Sequence, residues 1–265
     1  MDNRLTVYVS SPDSYADVFD MFLRGFRKYW NDCPYKFIFT TNTYSYDGIT
    51  CICNHQTGDT WVERTIAVLP QIKSKYILLM CDDIIINEKV NNHDIERILD
   101  YMDNHEIRFC NMRPNRRGEH IHELPILNAV NKRQSYAINL QIGIFRKDYF
   151  AELLGDGSSN AWAIESRINA EAASAKDELF RDVVVVNKPI LPFVHGVLKG
   201  LWTRQAVSYI KKAYPTYEFK RTKLPIMNEI RYRLSLLLTD SFHPRIRMLF
   251  KGILKKSGIH FVTDM

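Results

Sequence analysis

Two adjacent carboxylates, Asp82 and Asp83, follow the most apolar segment of this 265-residue chain, YILLM at 76–80. Adjacent carboxylates repel each other, and burying either one is costly unless a positive charge is close. Mg²⁺ and Mn²⁺ bind carboxylate oxygens and bridge readily to phosphate. The pair therefore predicts a divalent-cation site that a diphosphate completes. The alternative is that both carboxylates face solvent at a strand end and cap the next segment.

The periodicity of apolar residues predicts the elements that position this pair. β-rich runs alternate with helical patterns through about Met112, which favours βαβ units on a mostly parallel sheet with helices on both faces. In such sheets ligands bind at the carboxyl ends of the strands, where Asp82 and Asp83 are placed. The predicted strands are 5–11, 35–42, 49–54, 75–86 and 107–112, and the predicted helices are 12–30, 58–74 and 91–105.

The second part of the chain is less regular. A polar loop with Pro and Gly over 111–125 precedes a strand and helix over 135–155, a helix within 156–174 and a strand at 182–187. Amphipathic helical patterns begin at Arg204. We expect a catalytic domain over 1–203, with halves 1–112 and 113–203, and a basic helical region over 204–265.

The positive charge is concentrated in the C-terminal quarter. Residues 204–265 contain 13 Lys and Arg against 4 Asp and Glu, whereas residues 1–203 contain 23 against 26. Within 231–256, apolar residues at helical spacing are flanked by seven cations, a pattern typical of a helix in a membrane interface. The alternative is that this stripe packs on the catalytic domain or on a second subunit.

Cysteine usage and apolar run lengths exclude several classes of protein. Five cysteines, an odd number, lie partly within apolar runs, which suits buried thiols in a reducing compartment. Cys51 and Cys53 are too close together for an ordinary zinc finger. No signal peptide and no spanning segment are expected, so the predicted location is cytoplasmic, with peripheral attachment to the inner face of the cell membrane as an option.

Several segments together resemble the GT-A glycosyltransferases, nucleotide-sugar enzymes with a D-x-D or x-D-D motif, over roughly residues 5–202. These segments are TWVERTIAVLPQIKSKYILLMCDD (60–83), NLQIGIFRKDYF (139–150), NAWAIES (160–166) and PFVHGVLKGLW (192–202). The chain is most similar to bacterial capsule and O-antigen transferases. Cys81 stands where the strict motif would have Asp. The resemblance implies an α/β, GT-A-like (Rossmann-like) mostly parallel sheet with flanking helices.

The resemblance also implies roles for individual residues. Asp83 and His195 would be the metal ligands, with Mn²⁺ or Mg²⁺ as cofactor, and Glu165 the catalytic base. Glu171 and Asp177 lie near Glu165 in sequence and stay alternatives. Donor contacts are implied at the same edge of the sheet by Ser10, Ser11, Asp59, Arg64 and Asp82. For these residues the alternatives are helix caps, a solvated helix face or a hydrogen-bonded loop histidine.

The activity implied is transfer of a sugar from a nucleotide diphosphate sugar, with a UDP-sugar favoured, to a hydroxyl of a glycan or a polyprenyl-diphosphate-linked acceptor. One base suits an inverting displacement, and a retaining outcome stays open. A homodimer and an anionic membrane surface are further candidate partners. The alternative function is that of a sugar-nucleotide-binding or partner-binding protein without transferase activity.

Three other classes fit the sequence less well. A sugar-nucleotide pyrophosphorylase usually has a Gly-rich loop after the first strand, and SSPDSYAD at 10–17 has no glycine. A haloacid-type phosphatase needs D-x-D-x-T/V, which CDDIII at 81–86 does not supply. No nucleic-acid-binding motif is present, so we expect no nucleic-acid partner.

Overall fold

The computed structural model of the chain describes residues 2–46, 49–53, 60–116, 118–132, 134, 136–174, 179–230 and 232. Asp59, Asp177 and all but one residue of the basic stripe at 231–256 lie outside the described residues. The chain divides into two compact units, Met1–Val197 and Leu198–Met265.

A mixed eight-stranded sheet forms the centre of the first unit, in the order β3-β2-β1-β4-β8-β6-β9-β7. Its strands are β1 (Asp2–Ser10), β2 (Tyr35–Thr41), β3 (Thr50–Cys53), β4 (Tyr76–Cys81), β6 (Phe109–Asn111), β7 (Leu127–Asn131), β8 (Ile142–Arg146) and β9 (Leu179–Val186). A separate two-stranded ladder joins β5 (Ile84–Ile86) to β10 (Phe193–His195). The helices of this unit are α1 (Ala16–Tyr29), α2 (Trp61–Val68), α3 (Asn92–Asn104), α4 (Lys147–Leu154) and α5 (Ala161–Ser174).

The direction of the strands divides the sheet. Strands β3, β2, β1 and β4 are parallel, as the βαβ pattern predicted. Strand β8 is antiparallel to both of its neighbours, β4 and β6, so its amino end lies beside the carboxyl end of β4. The predicted α/β class with a mostly parallel sheet and flanking helices is confirmed, and the antiparallel β8 adds a detail that the periodicity did not show.

Alternating side chains of the central strands enter two separate cores. In β4, Leu78 packs in one core with α1 and α3, and Leu79 packs in the other with α2, α4 and α5. Both leucines are fully buried. Because both faces of the strand are covered by helices, its sequence is continuously apolar rather than alternating.

The predicted strand 75–86 is two strands. Strand β4 ends at Cys81, Asp82 and Asp83 form a turn, and β5 starts at Ile84. The apolar run on both sides of the turn gave no sign of this break. The break places β5 in the ladder with β10 and directs the Asp83 backbone toward Gly196, whose N–H donates to the Asp83 carbonyl oxygen at 2.7 Å.

Helix α1 approaches β5 very closely at Gly25. A Cβ atom at this position would lie 2.6 Å from the Ile86 carbonyl oxygen, a distance that real Cβ atoms essentially never show. Glycine is therefore required by the contact between helix and strand, at a position that is otherwise ordinary helix interior.

The second unit contains β12 (Leu201–Trp202) and α6 (Arg204–Ala213), and the two-residue strand β11 (Val197–Leu198) spans the boundary. Thr203 caps α6 by accepting a hydrogen bond from the Ala206 N–H at 3.1 Å. The helix buries Ala206, Val207 and Ile210 and ends with Lys211 and Lys212, which is an amphipathic pattern. Within the described part of the chain, no helix is long and apolar enough to cross a bilayer.

Candidate functional site

The site lies where β1 and β4 end and β8 begins. Ser10 pairs with Cys81 at the ends of β1 and β4, and Met80 pairs with Ile142 at the start of β8. The loop before β8 therefore reaches the same edge as the two strand ends. This is the edge at which parallel α/β sheets bind ligands.

A buried hydrogen-bonded group joins four of the predicted donor residues in two pairs. Arg64 Nε donates to Ser10 Oγ at 3.2 Å, and Ser11 Oγ donates to Asp82 Oδ2 at 2.5 Å. Each of these four residues is at most 9% exposed. Because Arg64 is buried, the alternative in which it only solvates its helix is excluded.

Helix α2 positions Arg64 through a capping box. Thr60 Oγ1 accepts from the Glu63 N–H at 3.2 Å, and the Glu63 carboxylate accepts from the Thr60 N–H at 2.7 Å. Two of the amide groups left unpaired at a helix start are thereby satisfied. Tyr8 fastens the helix to the sheet, because its hydroxyl lies 3.1 Å from the hydroxyls of both Thr40 and Thr65.

Asp83 and His195 form a close pair. His195 Nδ1 lies 2.9 Å from Asp83 Oδ2, and the ladder of β5 with β10 fixes the approach by pairing His195 with Ile84. Burial alone would lower the pKa of His195, but the adjacent Asp83 carboxylate outweighs burial and raises it. The structure thus brings together the two predicted metal ligands, which are far apart in sequence.

These two side chains fit a donor-assisted cation site. Among the described residues, no group of three or more His, Cys, Asp and Glu side chains could hold a metal ion on its own. Mg²⁺ is normally bound by one or two carboxylates together with substrate phosphates and water. Asp83 and His195 supply a carboxylate and an imidazole, so the remaining ligands would come from a bound diphosphate and water.

Glu165 lies in the second turn of α5. Its Oε1 accepts from the Leu140 N–H at 2.6 Å, and the residue is 7% exposed. Burial raises the pKa of Glu165, although the Leu140 N–H and the charge of Arg113 lower it in part. The sulfur of Cys81 lies 3.7 Å from the Leu140 carbonyl oxygen, which connects Glu165 to the end of β4.

The thiol of Cys81 lies near three carboxylates, those of Asp82, Asp83 and Glu165. Burial raises its pKa well above the ordinary value, and Asp83, Asp82 and Glu165 raise it further. A thiol at this position stays neutral and adds no negative charge to the three carboxylates. The departure from the strict motif at Cys81 therefore lowers the repulsion that the site must balance.

Glu171, the alternative base that lies within the described residues, does not join this group. It lies about one turn and a half further along α5, pairs with Arg167 at 3.7 Å and lines a groove with Tyr149 and Asp182.

Sequence reasoning missed Arg113. It lies two residues after β6, and its charge acts on both Glu165 and His195. Within the described part of the chain its guanidinium makes no hydrogen bond or ion pair. Its backbone N–H donates to Asn111 Oδ1 at 3.0 Å. A basic residue just after a strand that ends at the same edge as Asp82 was the available signal.

No protein-family model matches the sequence, and no curated protein matches it. Three solved structures illustrate what the chain is similar to. S. aureus TarS 1–349 in complex with UDP-GlcNAc is 14% identical, with 70% of this chain and 56% of that chain covered and a TM-score of 0.44. The mannosyltransferase PcManGT from Pyrobaculum calidifontis, in complex with GDP-Man and Mn²⁺, is 12% identical, with 95% of this chain and 79% of that chain covered and a TM-score of 0.46.

A nucleotidyl transferase from Methanothermobacter thermautotroptrophicus is 10% identical, with 81% of this chain and 99% of that chain covered and a TM-score of 0.47. The chain spans 58% of TarS 1–349 and 35% of the longer TarS structure.

Proposed function

We propose that this protein is a metal-dependent glycosyltransferase that moves a sugar from a nucleotide diphosphate sugar to a hydroxyl of a saccharide acceptor. The observation that carries the proposal is the convergence of the Asp83–His195 pair and the buried carboxylate of Glu165 at one edge of the sheet. A divalent-cation site and a separate proton acceptor are the two functions that such a transfer needs.

The donor binds along the ends of β1 and β4. Asp83 and His195 would hold Mn²⁺ or Mg²⁺, which would supply positive charge to the diphosphate leaving group. Ser10, Ser11, Arg64 and Asp82 form the wall beside it, fixed before the donor arrives by their mutual hydrogen bonds. A fixed polar wall lowers the entropy that would otherwise be lost on binding.

Glu165 acts as the general base. Its carboxylate takes the proton of the acceptor hydroxyl as that oxygen attacks the anomeric carbon. Burial raises the pKa of Glu165, so the ionised form is a stronger base than an exposed glutamate. The Leu140 N–H fixes the carboxylate by donating to its Oε1 at 2.6 Å.

Arg113 supplies a further positive charge to the site. Because its guanidinium has no partner within the described part of the chain, it is available to a phosphate oxygen or to charge that develops during transfer. One base and one leaving-group site suit an inverting displacement. From the sequence resemblance we infer a UDP-sugar donor and a role in bacterial surface polysaccharide synthesis, with a glycan or a polyprenyl-diphosphate-linked acceptor.

A donor screen tests the proposal. The full chain is incubated with a panel of nucleotide sugars, with Mn²⁺, Mg²⁺ or chelator, and release of nucleotide diphosphate is measured. We expect release that requires metal, and loss of UDP–Mn²⁺ binding in Asp83→Ala by about 10²-fold or more. The matched control is Asp20→Ala, which removes a surface carboxylate paired with Arg24.

Two outcomes would contradict the proposal. Asp83→Ala that binds UDP with Mn²⁺ as well as the parent protein would exclude the metal site. Metal-dependent nucleotide binding without release or transfer, for any sugar of the panel, would favour a sugar-nucleotide-binding protein.

A further inference from the structure

Two aromatic side chains beside Glu165 are largely exposed. Trp162 is 70% exposed and Tyr136 is 47% exposed, although an apolar ring of either type is normally buried at least in part. Trp162 precedes Glu165 by three residues on α5, so the two side chains are neighbours on the helix surface. The exposure therefore occurs at the proposed base rather than at a distant surface.

The backbone of Tyr136 has an unfavourable conformation. Its φ angle is 56°, in the left-handed region that a bulky residue rarely adopts. Asn111 Nδ2 donates to its carbonyl oxygen at 3.3 Å, and two residues later Ile138 exchanges hydrogen bonds with Asn169 of α5. Strained residues that the surroundings hold in place cluster at ligand sites.

The loop of Tyr136 also holds Glu165. Leu140, four residues after Tyr136, donates to the Glu165 carboxylate at 2.6 Å. The Tyr136 phenol lies near the same carboxylate. Partial burial and then the charge of Glu165 raise the pKa of the phenol. Trp162 and Tyr136 thus flank one carboxylate from two elements, α5 and the loop before β8.

We propose that Trp162 and Tyr136 form a stacking surface for a pyranose ring of the acceptor, which presents a ring hydroxyl to Glu165. The assignment of Glu165 as base rests on the proposed function. The C–H groups on one face of a pyranose make an apolar surface that packs on an aromatic ring, while its hydroxyls stay available at the rim.

The surroundings favour a sugar over a hydrocarbon chain. A lipid tail needs a continuous apolar patch, whereas Ser166, the neighbour of Trp162 one turn along α5, is polar and exposed. Arg113, whose charge acts on both Tyr136 and Glu165, adds a cationic group nearby. Aromatic rings beside polar groups match the alternating apolar and hydroxyl surface of a saccharide.

Saccharide binding by the full chain tests this proposal without a donor. The probes are maltotriose, cellotriose and chitotriose, measured by saturation-transfer NMR and by tryptophan fluorescence. Trp162 is the most exposed of the four tryptophans, since Trp30 and Trp202 are fully buried and Trp61 is partly buried. We expect at least one trisaccharide to bind, with affinity about five- to tenfold weaker in Trp162→Ala and in Tyr136→Ala.

The matched control is Tyr44→Ala, which removes another exposed aromatic ring, 51% exposed, from the loop after β2. It should bind the trisaccharide as the parent does, and Trp162→Phe should recover most of the affinity. Unchanged binding in Trp162→Ala, no binding of any of the three probes, or a fluorescence response to UDP alone that needs Trp162 would overturn the proposal. Saccharide binding that depends on Trp162 in a protein that fails to bind UDP–Mn²⁺ would leave this surface standing and contradict the proposed transferase.

Discussion

On the side proposed for the donor, Arg64, Ser10, Ser11 and Asp82 are buried and already hydrogen-bonded among themselves. On the side proposed for the acceptor, Trp162 and Tyr136 are exposed, and the Arg113 guanidinium has no partner within the described residues. The donor side is preorganised by hydrogen bonds within the protein, whereas the groups on the acceptor side would find their partners in a bound ligand. We infer that the fold fixes one substrate position through its own packing and leaves the other to the ligand.

The largest expected effect is on turnover. It comes from a substitution at Glu165, the proposed base, which lies between the donor side and the acceptor side. Glu165→Gln keeps the side-chain shape but cannot accept a proton, so turnover should fall by about 10²-fold or more. UDP–Mn²⁺ affinity should stay close to the parent value. Quenched transfer assays measure turnover, and nucleotide titrations measure the affinity for UDP–Mn²⁺.

Near-normal transfer by Glu165→Gln would mean that another residue is the base, and that Glu165 does not separate a donor side from an acceptor side. Glu171→Gln is the matched control on the same helix, and it should leave turnover unchanged because Glu171 pairs with Arg167 away from this edge.

A pair of arginine variants compares the two sides directly. Arg64→Met removes a buried donor from Ser10 and should lower the free energy of unfolding by about 1–3 kcal/mol. Arg113→Met removes no guanidinium hydrogen bond to any residue that the structure describes, so stability should stay within about 0.5 kcal/mol while turnover falls by about tenfold or more. Urea unfolding and initial rates give both quantities, and equal loss of stability in the two variants would erase the contrast.

The pH dependence of turnover sharpens the role of Arg113. Because the pKa of Glu165 is raised, the rate should rise with pH through a value above that of an ordinary glutamate, as the carboxylate ionises. Arg113 lowers this pKa, so Arg113→Met should move the acid limb of the rate profile to higher pH. A limb that moves to lower pH, or stays in place, would show that Arg113 does not act on the base.

The smallest expected effect is at the cap of α2. Thr60→Ala removes the side-chain acceptor of the capping box and should cost about 1 kcal/mol of stability. UDP–Mn²⁺ affinity should fall only a few-fold, because Tyr8 and Thr65 still fasten the helix. Thermal unfolding gives the stability change, and a large loss of nucleotide affinity would mean that the donor side is less rigid than its packing suggests.

Local patterns in the sequence predicted the donor side well. The continuous apolar run at 76–80 predicted a buried strand, and the predicted helix over 58–74 contains α2 (Trp61–Val68). Both signals depend on a few neighbouring residues. The same pattern placed Asp82 and Asp83 near the end of that strand, but it did not show the turn that separates β4 from β5.

Long-range pairing decided the remaining features. The direction of β8 and the existence of the β5–β10 ladder depend on contacts between segments far apart in sequence, which the periodicity of one segment does not encode. Arg113 and Tyr136 lie in loops, where no periodic pattern marks a residue as part of a site. Their importance follows from Asn111 and Leu140, which tie those loops to the sheet edge and to Glu165.

Because Gly25 has no side chain, helix α1 packs directly against the strand ladder that positions the proposed cation site. The helix backbone rests against the Ile86 carbonyl, Ile86 pairs with Phe193, and the same two-strand ribbon carries His195 at its other end opposite Ile84. A side chain added at position 25 would push on that ribbon from behind and change the gap between the imidazole and Asp83. The affinity of the proposed metal site should therefore respond to a substitution in a helix that contains neither of its proposed ligands.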